Sequence, residues 1–292
     1  MKVIIGSRES RLAVIQSEIV IRAINDFDPE IETELLTMKT TGDMILDKTL
    51  DQIGGKGLFV KELDRALLDG KADLTVHSLK DMPMEVSPEL PIAAYSRRED
   101  PRDALVLPEG RDEIDFSKPI GCSSLRRMLH MKKLYPQAHF SPIRGNVQTR
   151  LKKLDSGEFG ATVLACAGLK RLDMEDRISR IFSIEEVLPA ACQGILAVQC
   201  RKGYETPFLA DFDDKLARLA ALAERSFVRT LDGGCSSPVA AFAETDGADM
   251  KLTGFYVSDE GGQYTDHIEG RAVNCEELGR TLALRMKGGA GK

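Results

Sequence analysis

Apolar residues at 3–5 form a short β-rich run, which the stretch Gly6-Ser7-Arg8-Glu9-Ser10 breaks. From 12 to 24 the apolar positions recur at helical spacing and predict an amphipathic helix. Residues 32–38 read as a second strand, and 56–68 as an amphipathic helix stopped by Gly70. Residues 72–76 form a third strand, whose apolar run implies burial on both faces. Strand–helix–strand repetition of this kind predicts a mostly parallel sheet.

The pattern changes at residues 96–103, a polar stretch with a proline that reads as a crossing between domains. A second α/β block follows, with strands near 104–107, 139–143 and 161–166 and helices after Ser123 and Asn146. Pro189-Ala190-Ala191-Cys192-Gln193-Gly194 reads as another crossing, and 195–200 as another strand. A long helix over 215–231 then leads to a glycine-rich turn. Segments 239–243, 251–257 and 264–269, with a helix from Cys275, predict a small antiparallel sheet under one covering helix. The expected domains are 1–96 completed by a return segment 190–212, then 97–189, then 213–292.

Length and composition fit this picture. The 292 residues are 42% hydrophobic and 29% charged, a globular balance able to bury a sizeable core. The 40 basic and 46 acidic residues give a net charge of −6, which argues against general nucleic-acid binding. No apolar run approaches the roughly 18 residues of a membrane helix. The start of the chain meets polar residues too soon for a signal peptide, so a cytoplasmic protein is expected. The six cysteines lack Cys-x-x-Cys spacing and read as reduced thiols, with neither a disulfide framework nor a zinc site.

Three features carry candidate chemistry. Cys235 lies in Leu231-Asp232-Gly233-Gly234-Cys235-Ser236-Ser237-Pro238, where two glycines strip the approach to the thiol and a proline closes the turn. A thiol displayed in this way suggests covalent chemistry. Arginines gather at strand-to-helix turns: Arg8, Arg126 and Arg127, Arg144 and Arg150, and Arg171. Ligands of parallel α/β sheets sit beyond the strand ends, where guanidinium forks grip carboxylates or phosphates. The plain alternative for any one of them is a solvated charge or a local ion pair. Third, Val76-His77-Ser78-Leu79-Lys80-Asp81-Met82-Pro83 begins as a buried strand and turns polar at its end. Asp81 is the best acid, base or counter-ion there, and Lys80 pairs with it or holds a substrate carboxylate. His77 reads as structural. Gly54-Gly55-Lys56-Gly57 lacks the spacing of a phosphate loop, and no dinucleotide fingerprint follows the first strand.

Together these segments resemble the porphobilinogen deaminase family. The likeness runs in order through Gly6-Ser7-Arg8-Glu9-Ser10, Thr41-Gly42-Asp43, Gly54-Gly55-Lys56-Gly57-Leu58-Phe59, His77 to Pro83, Arg98-Glu99-Asp100-Pro101-Arg102-Asp103, Ser123-Ser124-Leu125-Arg126-Arg127, Arg144-Gly145-Asn146-Val147, Ala167-Gly168-Leu169-Lys170-Arg171 and the Cys235 loop. It implies an α/β fold of two lobes like those of type II periplasmic binding proteins around a cleft, plus a small α+β C-terminal domain presenting the cysteine. It implies a transferase that joins four porphobilinogen molecules head to tail, losing ammonia each time, and releases the linear tetrapyrrole hydroxymethylbilane. A dipyrromethane cofactor, one per chain, would be held through a thioether at Cys235.

By the same resemblance Asp81 is the catalytic carboxylate. Lys80, Asp81, Ser78, Ser123, Arg126, Arg127, Arg144 and Gln193 contact the cofactor. Arg8, Arg126, Arg127, Arg144, Arg150, Arg171 and Lys56 take the carboxylates of the substrate, Lys56 and Phe59 lying in a lid. The expected partner is a small molecule, with no metal, nucleic acid or membrane, and the unit a monomer. Cys122, Gln52, Cys192 and Ser236 depart from the family's usual residues. Two rivals stand beside this reading. A non-catalytic two-lobed binder of polyanions explains the arginines but not Cys235. A cysteine hydrolase lacks a local histidine partner.

Overall fold

A computed structural model of the chain describes residues 1–44, 60–232 and 238–289. The first sheet holds β1 (Lys2–Arg8), β2 (Glu32–Met38), β3 (Leu74–Ser78), β4 (Ile92–Tyr95) and β10 (Leu196–Cys200), in the order β2-β1-β3-β10-β4. The second holds β5 (Asp103–Val106), β6 (Ile120–Gly121), β7 (Phe140–Ser141), β8 (Ala161–Ala165) and β9 (Arg180–Ile181), in the order β7-β6-β8-β5-β9. The two orders are the same. In each, β1–β3 or β6–β8 pair in parallel, and the fourth position is filled by an antiparallel strand arriving from the other sheet. This exchange is the topology of type II periplasmic binding proteins.

Local sequence explains the elements. The buried residues of α1 (Arg11–Phe27) are Ala13, Gln16, Ser17, Val20 and Ile24, a stripe of helical period, and Ser10 caps the helix by accepting from Ala13 N. Leu74 to His77 of β3 are all buried, the polar Thr75 and His77 included, as burial on both faces requires. β3 begins two residues later than the sequence pattern puts it and extends through Ser78. Strand β4 and the two-residue strands β6 and β9 carry too little pattern to be read from sequence.

The two crossings run side by side. Leu196 N donates to Ser96 Oγ at 2.8 Å, Ser96 N to Leu196 O at 2.9 Å and Glu99 N to Gly194 O at 3.2 Å. Gly194 has φ +92°, and a Cβ there would stand 2.2 Å from Glu99 O, so only glycine lets the crossings touch.

The remaining helices are α2 (Thr41–Met44), α3 (Lys61–Leu68), α4 (Leu125–Leu134), α5 (Val147–Asp155), α6 (Cys166–Arg171), α7 (Lys215–Thr230) and α8 (Cys275–Gly289). Strands β11 (Ala240–Thr245), β12 (Asp249–Val257) and β13 (Gln263–Arg271) form the antiparallel third sheet. Two helices pack on it, α7 as well as α8, where the sequence pattern predicts one. They approach closely at Gly279, whose Cβ would stand 2.3 Å from Ala223 O. Leu188 of the second lobe shares a core with Ala240, Phe242 and Phe255, which docks this sheet on that lobe. No described helix is long and apolar enough to cross a membrane.

Candidate active site

The carboxyl ends of the parallel strands face a cleft of about 530 Å³ between the lobes. β1 delivers Arg8, and β3 delivers Ser78, followed by Lys80 and Asp81. From the second lobe come Arg127 in the first turn of α4, Arg144 before α5, Arg150 within it, and Arg171 at the end of α6. Gln193 enters from the second crossing. With Lys39 and Glu9, the described lining sets seven cationic side chains against two carboxylates. An acidic protein has concentrated its positive charge in one groove, which focuses attraction on anions.

Burial shapes these charges. It pushes Arg150 and Arg171 down to about 10, Arg127's charge adding to the effect on Arg150, so both still carry their proton at neutral pH. Burial also lowers Lys80, opposed by the neighbouring Asp81 carboxylate. Arg150 Nε is anchored on Gly145 O at 2.9 Å and Arg171 Nη2 on Gly194 O at 2.6 Å. Gly145, at φ +112°, makes the sharp turn that brings Arg144 and α5 together. Asn146 caps that helix by accepting from Thr149 N.

Two expected contacts sit elsewhere. Arg126 is buried behind the wall and is not among the described lining residues. Its Nη1 donates to Leu188 O at 2.6 Å, and its Nη2 lies 2.9 Å from Asp103 Oδ2. Ser123 also stands back, donating to Ile143 O at 2.9 Å and accepting from Ile143 N at 3.1 Å. Cys235, Lys56 and Phe59, like Gln52 and Ser236, lie outside the described residues.

The structure adds residues that sequence reasoning passed over. Gln16 lines the cleft and donates to Ser78 Oγ at 3.0 Å. Its signal was a polar side chain on the apolar stripe of α1. Asp103 and Glu224 are wholly buried carboxylates behind the site. His77 bonds Thr75 Oγ1 at 2.9 Å, and burial pushes it to about 4, with Arg8 contributing, so it stays neutral. Among the described cysteines all five are buried, Cys166 and Cys192 being driven to about 12, chiefly by burial. These thiols are poor nucleophiles. Cys192 has φ +64°, which costs about 1–3 kcal/mol where glycine would be unstrained.

A two-lobed α/β scaffold with exchanged strands and a guanidinium-walled cleft has the shape and charge to hold a small molecule bearing several carboxylates. The described lining fits a polycarboxylate cofactor as well, for Arg127 lines the cleft with a buried Nε that has no hydrogen-bond partner. The chain belongs to the porphobilinogen deaminase family. Residues 3–207 match the family model "Porphobilinogen deaminase, dipyromethane cofactor binding domain", and residues 218–288 match "Porphobilinogen deaminase, C-terminal domain". Porphobilinogen deaminase of Alkaliphilus oremlandii is 61% identical over 99% of this chain and 97% of that one. Its counterpart in Acetivibrio thermocellus is 59% identical over 99% of both, and that of Clostridium acetobutylicum 44% identical over 98% and 99%. Among solved structures, the BenM effector-binding domain with benzoate aligns at a TM-score of 0.40 and 13% identity, over 71% of this chain and 86% of that one.

Proposed function

We infer that this protein is the transferase that joins four porphobilinogen molecules head to tail, with loss of ammonia, into hydroxymethylbilane. The observation that carries the reading is that Asp81 and Lys80, from the end of β3, share one cleft with Arg8, Arg127, Arg144, Arg150 and Arg171. Each porphobilinogen brings an acetate and a propionate, so a growing chain needs many cations in one groove. When attached through a thioether to Cys235, dipyrromethane supplies the pyrrole carbon to which the first monomer is joined.

Arg127, Arg144, Lys80, Ser78 and Gln193 hold the carboxylates and polar edge of that primer. Arg8, Arg150 and Arg171 take the carboxylates of the incoming monomer together with Arg127, Arg144 and Lys80, which serve primer and monomer alike, and Lys56 belongs to the segment that covers it. Asp81 faces the pyrrole nitrogens, stabilises the positive charge that develops as ammonia departs, and accepts the proton released as the new bond forms. Arg126 and Ser123 support this wall from behind. One chain supplies every residue named, so we propose a monomer. The buried, unpaired cysteines among the described residues suit a reducing cytoplasm.

Product stoichiometry tests this. Purified protein given porphobilinogen should release one ammonia per monomer consumed and one linear tetrapyrrole per four. Tight porphobilinogen binding without ammonia release would overturn the reading in favour of a passive binder.

A further inference from the structure

Asp103 opens β5 immediately after the first crossing and is fully buried. Its Oδ1 accepts from Arg127 Nη2 at 2.7 Å and from Gln193 Nε2 at 2.9 Å. Its Oδ2 lies 2.9 Å from Arg126 Nη2. Gln193 Nε2 also donates to Pro101 O at 2.7 Å, while its Oε1 accepts from Lys80 Nζ at 3.3 Å. One carboxylate therefore meets the second lobe, the second crossing and, through Gln193, the first lobe. Arg127, Gln193 and Lys80 line the cleft, whereas Asp103 is not among the described lining residues.

The direction of each bond follows from charge. A carboxylate only accepts, so the Gln193 amide must turn its NH2 toward Asp103 and its carbonyl toward Lys80. Reversed, that amide would set an oxygen against the carboxylate and a donor against the ammonium. Arg127 has Nη1 committed to Val163 O at 3.0 Å and Nη2 to Asp103. Those two anchors fix the plane of the guanidinium and the side its unpaired Nε presents.

We propose that Asp103 is a positioning residue for ligand carboxylates: it sets Arg127 directly, and Lys80 through Gln193, so that the two walls of the cleft offer cations at a fixed spacing. The proposal rests on the transferase reading for the identity of the ligand and extends it to the residue that determines carboxylate spacing. A ligand with two carboxylates profits from fixed spacing, and a ligand with one does not.

The test compares two stable pyrroles by calorimetry on the holoprotein. One carries the acetate and propionate of porphobilinogen with a methyl in place of the aminomethyl group. The other has the acetate replaced by ethyl. Wild-type protein is expected to favour the dicarboxylate by about tenfold or more, the worth of one charge-assisted hydrogen bond. Asp103→Asn should bring that preference to within about threefold of unity, and Asp103→Glu, which keeps the charge, should fall between the two. Phe208→Leu, a destabilised control in the first-lobe core, should keep the full preference. An unchanged preference in Asp103→Asn, or an equal loss in Phe208→Leu, overturns the proposal. Should Asp103→Asn not fold, an unchanged preference in Asp103→Glu does so. Turnover of porphobilinogen by the wild type is measured first. Its absence sinks the transferase reading, while the binding comparison still decides the role of Asp103.

Discussion

Glu224→Gln should loosen the join between the third domain and the hinge. Glu224 sits within α7, the helix that leads to the Cys235 loop, and its side chain is completely buried. Three donors converge on it: Arg98 Nη2 at 2.7 Å, Ala243 N at 2.8 Å and Cys192 N at 2.5 Å. They come from the first crossing, the third sheet and the second crossing. Glutamine keeps one acceptor oxygen but turns an NH2 toward a backbone N–H, and it leaves Arg98, 13% exposed, without its counter-charge. A buried donor left unpaired costs about 1–3 kcal/mol, and breaking a buried ion pair from one side costs about 3–5 kcal/mol in all. At about 2–4 °C per kcal/mol, the melting temperature should fall by roughly 6–20 °C. Urea denaturation and thermal melting of both proteins give the answer. The double variant Arg98→Met/Glu224→Gln should recover part of the loss, because the stranded cation is gone. A loss below about 1 kcal/mol, or no recovery in the double variant, would refute the reasoning.

Stability should also fall as pH drops from 6.5 toward 4, because His77 is neutral in the fold at about 4 but titrates at 6.5 when unfolded. The folded value is the lower one, so this contribution is complete above pH 6.5 and is spent below 4. The gap of about 2.5 units is worth about 3 kcal/mol, and His77→Gln should lack that slope. Parallel curves for the two proteins would exclude it. Gly194→Ala should cost at least about 2 kcal/mol in urea denaturation, through its left-handed φ and the contact with Glu99 O. An unaffected midpoint would mean the crossings separate easily. Asp81→Asn should lower kcat far more than it raises the dissociation constant of the first porphobilinogen, measured by rapid-quench kinetics. Near-normal kcat would remove Asp81 from the chemistry.

Much of this was legible in the chain. Polar, proline-bearing crossings and arginines at strand-to-helix turns are local signals, and α1 and β3 carry clean periodicity. What stayed hidden is non-local. That β5 and β10 change sheets depends on pairings such as Val198 with Val76, more than a hundred residues apart. Asp103 looked like one more charge in a polar stretch, because nothing near it in sequence says that Arg126, Arg127 and Gln193 will converge on it. Arg126 and Arg127 read alike, yet a single residue step, about 100° around the helix, sends the first into Leu188 O and the second to the cleft wall. Gln16 was masked by the stripe it interrupts.

The most direct measurement is the intact mass of freshly purified, catalytically competent protein, set beside Cys235→Ala. The account predicts that the wild type exceeds its polypeptide mass by two pyrrole units and that the variant carries no such addition. Competent wild-type protein at the bare polypeptide mass, or an undiminished adduct on Cys235→Ala, would contradict it.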